Sequence, residues 1–84
     1  MEEKDQKQID IKVELDTTGL FCPEPLFQVK NLSDKIEIGN SYKVLADDPA
    51  AEEDLTRWAK RTGTKIIKFS KEGDLLTFIF KKLK

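Results

Sequence analysis

Residues 9–25, IDIKVELDTTGLFCPEP, decide how this chain folds. Ile9, Ile11, Val13 and Leu15 alternate with Asp10, Lys12 and Glu14, the period of two that turns one face of a strand toward a core. Asp16, Thr17, Thr18 and Gly19 break that alternation with turn chemistry. Pro23 and Pro25 come next. Proline is excluded from a helix interior but suits its first turn, where the fixed φ is already helical and the missing N–H had no partner to lose. A helix is therefore predicted to start at Cys22.

Working outward, Leu26, Val29, Leu32 and Ile36 form one apolar stripe that carries this helix to about Lys35, ahead of Gly39. Tyr42, Val44 and Ala46 alternate as a second strand. Asp48 reads as an N-cap, with Pro49 in the first helical position and acidic residues Glu52 to Asp54 near the positive end. Ala51, Leu55, Trp58 and Ala59 share the buried face of this second helix, and Gly63 ends it. Thr64 to Ser70 and Leu75 to Lys81 read as two closing strands joined by a hairpin turn.

The order β-α-β-α-β-β makes an α/β (α+β) two-layer sandwich. Right-handed crossovers that step in one direction place both helices on one face of the sheet. The other face is expected to carry Lys43, Lys68, Thr77 and Lys81, relieved by Leu45, Ile66, Leu75 and Ile79. Eighty-four residues leave room for one domain, expected over residues 9–84, with the polar stretch 1–8 as a disordered lead-in. Lys and Arg number 15 against 16 Asp and Glu, so no global field draws the chain to nucleic acid or to an anionic membrane. The apolar runs are too short to span a bilayer and no signal-peptide core follows the N-terminus, so a cytoplasmic protein is expected.

The chain has one cysteine, Cys22, and no histidine. An internal disulfide, an ordinary zinc site within one chain and a Cys–His hydrolase are excluded. A lone cysteine is usually an inert buried hydrophobe. Its place at a helix start points elsewhere, because a thiolate there meets unpaired N–H groups and the positive end of the helix, and cysteines so placed commonly have a lowered pKa. Glu24 opposes this by like-charge repulsion. Asp47 and Asp48 read first as capping residues and second as a docking surface, and Phe27, off the apolar stripe of its helix, is a candidate docking aromatic. Trp58 reads as core, and Lys81, Lys82 and Lys84 as a solvated end.

Gly19-Leu20-Phe21-Cys22-Pro23-Glu24-Pro25, with Ala46-Asp47-Asp48-Pro49-Ala50 downstream, resembles the TusA/SirA family of small sulfur-carrier proteins. The similarity runs from about Ile9 to Lys82 and includes the placement of Trp58, Gly63 and the closing strand pair. The resemblance implies a four-stranded mixed sheet in order 1-2-4-3 with two helices on one side. It implies that Cys22 accepts sulfane sulfur as a persulfide and relays it, for transfer-RNA thiolation or another sulfur pathway, with Gly19, Leu20, Pro23, Glu24 and Pro25 shaping the site. A cysteine desulfurase or rhodanese-like donor and an acceptor sulfurtransferase are the implied partners, with no cofactor, no metal, and no direct contact with nucleic acid. Thiol exchange runs by thiolate attack with a sulfur leaving group, which fits the lack of histidine. The alternative is a non-catalytic protein-binding or regulatory module in which Cys22 is structural.

Overall fold

The computed structural model describes residues 11–84. The lead-in expected over residues 1–8, and Ile9 and Asp10 of the first strand, lie outside the described residues. The elements are β1 (Ile11–Asp16), α1 (Glu24–Lys35), β2 (Ser41–Ala46), α2 (Pro49–Thr62), β3 (Lys65–Glu72) and β4 (Leu75–Lys81). The strands form one sheet in the order β1-β2-β4-β3. β1 runs parallel to β2, and β4 is antiparallel to both β2 and β3. The mixed four-stranded sheet and two helices read from the sequence are what forms.

The core lies between the central strands and the helices. Tyr42, Val44 and Ala46 of β2 are fully buried and stand in register with Phe80, Phe78 and Leu76 of β4, also buried. Val29 of α1 and Leu55, Trp58 and Ala59 of α2 close over them. Phe80 is the hub: its ring stacks on Phe78 at a centroid distance of 5.3 Å and meets the Trp58 indole edge-on at 5.7 Å. Burying one such ring is worth about 1.5–3 kcal/mol in transfer alone, with about 0.5–1.5 kcal/mol more for favourable aromatic geometry.

Two details depart from the alternation in the sequence. A bulge between Ile66 and Lys68 inserts Ile67, so Ile66 pairs with Phe80 and packs against the helix-side core instead of relieving the open face. β1 is an edge strand with a register shift between Ile11, opposite Ser41, and Val13, opposite Tyr42, and both are only partly covered: Val13 is 37% exposed and Ile11 39%. On the open face Ile79 is nevertheless buried. It sits on a central strand, in register with Lys43 and Lys68, whose long aliphatic stems suit such a flank.

Candidate functional site

The site is the loop from Thr17 to Pro23, which joins the end of β1 to α1. Buried Thr17 fastens its first residue to β2, donating both its N–H (2.8 Å) and its hydroxyl (2.6 Å) to the Leu45 carbonyl. Thr18 folds back on Asp16, giving the same carboxylate oxygen a hydroxyl bond of 2.6 Å and an N–H bond of 2.9 Å. These two bonds, the hydroxyl one first, hold the Asp16 carboxyl below its ordinary pKa. Gly19 takes a left-handed φ of 86°, open to glycine without a side-chain penalty, and donates its N–H to Asp47 Oδ1 at 2.9 Å. The Cys22 N–H reaches Asp48 Oδ2 at 2.6 Å.

The adjacent aspartates therefore clamp two points of the loop. Asp48 is also the N-cap of α2, accepting the Ala50 N–H at 3.2 Å, with Pro49 in the first turn. One side chain both starts the second helix and fixes the backbone of Cys22. The capping role follows from the sequence; the bonds from Asp47 and Asp48 back to the loop do not.

Cys22 is exposed, but it is not the N-cap of α1. That position belongs to Pro23, Glu24 is the first helical residue, and no side chain caps the helix. The reason is local. Pro23 and Pro25 have no N–H, and Glu24 gives its own to the Phe21 carbonyl at 2.8 Å. Little remains of the usual set of unpartnered donors at a helix start, so the expected stabilisation of a thiolate is correspondingly weak.

The thiol instead points to α2. Cys22 Sγ donates a hydrogen bond to Asp54 Oδ2 at 2.8 Å. That bond, then partial desolvation, then the negative charges of Asp54 and Asp48, pushes the Cys22 pKa up from its ordinary value. This direction is opposite to the one a helix start favours, and the negative charges behind it are those of Asp54 and Asp48. Asp54, one turn into α2, is the site residue that sequence reasoning missed as a partner of Cys22.

Phe21, next to Cys22 in the chain, is 72% exposed, and Phe27, in the first turn of α1, is 48% exposed. Pro23 and Glu24 are also exposed, Leu20 is half-buried, and Pro25, the second residue of α1, is buried. The structure thus brings Gly19, Cys22, Asp47, Asp48 and Asp54 into one bonded cluster and leaves Phe21, Glu24 and Phe27 facing solvent. Among the described residues, no helix is long and apolar enough to cross a membrane.

Known proteins resemble this chain along most of its length. A chain of Archaeoglobus fulgidus is 39% identical over 72 residues, covering 84% of this chain and 94% of its own. The sulfur carrier protein TusA of Allochromatium vinosum is 34% identical over 73 residues, covering 87% of this chain and 96% of its own. The crystal structure of a SirA-like protein from Desulfitobacterium hafniense superposes with a TM-score of 0.75, covering 87% of this chain and all of that one; at 20% identity this likeness concerns the fold. The family described as sulfurtransferase TusA matches residues 13–82, nearly the whole domain, and the chain belongs to that family.

Proposed function

We propose that this protein is a sulfur carrier: Cys22 accepts a sulfane sulfur as a persulfide and hands it to an acceptor protein. The observation that carries the reading is the position of the chain's one cysteine, exposed and held by its own N–H in a loop clamped from the start of α2. Exposure supports this reading over a structural, packed role for Cys22.

In the transfer, the Cys22 sulfur attacks the terminal sulfur of a donor persulfide. A new Sγ–S bond forms, the donor S–S bond breaks, and its electron pair leaves with the donor sulfur, which takes up the proton that Cys22 gives up. The sulfane sulfur keeps its oxidation state, so no external oxidant or reductant enters. Delivery to an acceptor thiol is the same exchange in reverse, with Cys22 as the leaving group. Acid–base residues are not demanded by this chemistry, but access is, and the loop provides it. A cysteine desulfurase or a rhodanese-like protein is the proposed donor and a sulfurtransferase the proposed acceptor, in the reducing cytoplasm where a free exposed thiol persists. Exposed Phe21, next to Cys22, and Phe27, in the first turn of α1, offer these partners apolar contacts. The test is to incubate the protein with a desulfurase and cysteine and read its intact mass: one added sulfur atom is expected, and none on Cys22→Ser.

A further inference from the structure

We infer that Asp54 is a positioning residue for sulfur transfer: its carboxylate holds the unloaded Cys22 as a closed thiol, and loading breaks that contact. The inference deepens the carrier reading and rests on it. Its basis is the hydrogen bond from Cys22 Sγ to Asp54 Oδ2, 2.8 Å long and made across 32 positions of sequence. The two side chains arrive from different elements, the loop before α1 and the first half of α2, which meet where Asp48 pins the Cys22 N–H.

The charges around Sγ favour the same state. Asp54 and Asp48 both act on the thiol from the start of α2, Asp47 binds the loop through Gly19, and Glu24 opens α1 two residues beyond Cys22. Arg57 pairs with these carboxylates and not with the sulfur: its guanidinium lies 4.0 Å from the other Asp54 oxygen and 3.1 Å from Glu53. Negative charge thus dominates the surroundings of the sulfur. A thiolate is disfavoured there, and with it the unassisted reaction of Cys22 with small electrophiles or oxidants.

Sulfur loading changes the chemistry of the contact. The exchange replaces the Sγ–H bond by an Sγ–S bond, with the proton leaving on the donor sulfur. Sγ then has no hydrogen to donate, and a persulfide, more acidic than a thiol, places negative charge on the terminal sulfur. Asp54 and Asp48 repel that charge. The loaded sulfur is therefore directed away from the carboxylates of α2 and toward an acceptor, while the unloaded sulfur is drawn back to them. One residue distinguishes the two states.

The test is the pH–rate profile for iodoacetamide alkylation of the unloaded protein, wild type against Asp54→Asn. Asparagine keeps the shape and an acceptor oxygen but removes the charge. The variant is expected to react several-fold faster at neutral pH, with its midpoint moved to lower pH. A purely structural Asp54 would leave the midpoint in place, and superimposed profiles, or a slower variant, overturn the inference. Should Asp54→Asn fail to fold, thiolate absorbance of the wild type decides: the midpoint must lie higher in the native protein than in the same chain in urea, and equal midpoints overturn the inference. Loading by a low-molecular-weight persulfide, scored by mass, is run in parallel. Superimposed alkylation profiles with normal loading remove the role of Asp54 alone, whereas failure of the wild type to load removes the carrier reading.

Discussion

The N–H of Cys22 ends on the carboxylate of Asp48 at 2.6 Å, and the same carboxylate caps α2. The reactive residue and the start of the second helix are thereby fixed by one side chain. Asp48→Ala removes both bonds, and the loss of the cap alone is worth about 1–2 kcal/mol of stability. Urea unfolding should show at least this loss, and sulfur loading of the folded variant should slow several-fold because the loop is unpinned. An unchanged unfolding midpoint would show that neither bond matters.

The two shifted groups near the loop give pH dependences of opposite sign. The Cys22 pKa is raised in the folded state, chiefly by its bond to Asp54, so its contribution to stability is complete below the ordinary thiol pKa and is lost as pH rises through the raised value. Asp16 is lowered by Thr18, so its contribution is present above the ordinary carboxylate pKa and is lost as pH falls through the lowered value. Denaturation followed across pH should show Cys22→Ser flattening only the alkaline side and Thr18→Ala only the acid side.

Exposed and buried aromatics should separate cleanly. Phe80→Ala opens the centre of the core, and a change of about 3–5 kcal/mol is expected, a large part of the total stability of a small domain. Phe27→Ala removes a half-exposed ring and should leave the unfolding midpoint nearly unchanged. If Phe27 docks the donor, the variant will load normally from a small persulfide and slowly from a desulfurase. Equal slowing with both donors would argue against docking.

Gly63 ends α2 with φ at 75°, and a Cβ there would come within 3.1 Å of the Lys84 side chain. The lysine end can move, but the left-handed backbone cannot change without undoing the cap. Gly63→Ala should therefore cost about 1 kcal/mol, read as a lower melting temperature with no effect on alkylation of Cys22.

The fold was legible because strong local signals agreed. The alternation of Tyr42, Val44 and Ala46, the Asp48–Pro49 helix start and Gly63 all formed as read, and the crossover rule placed both helices on one side. What was illegible came from interactions that one segment cannot encode. The bulge that turns Ile66 inward is a property of pairing with β4. The helix start moved past Cys22 because Pro23 and Pro25 themselves remove donors that a capping side chain would have bonded. The site showed the same division. Cys22 and the aspartate pair stood out in sequence, whereas Asp54 carried no local sign of its role. Its place in the second turn of α2 was the available signal, since a helix starting beside the Cys22 loop presents its early residues to that loop. The direction of the Cys22 pKa depends on Asp54 first, so the helix start alone could not settle it.

The most direct measurement locates the transferred sulfur. After loading with a desulfurase and cysteine, the protein is alkylated, digested with trypsin, and the peptide from Val13 to Lys30 is sequenced by mass spectrometry. The account predicts one extra sulfur between Cys22 and the alkyl group, removed when a reductant precedes alkylation. A wild-type peptide without that sulfur after exposure to active donors, or sulfur bound equally by Cys22→Ser, would contradict it.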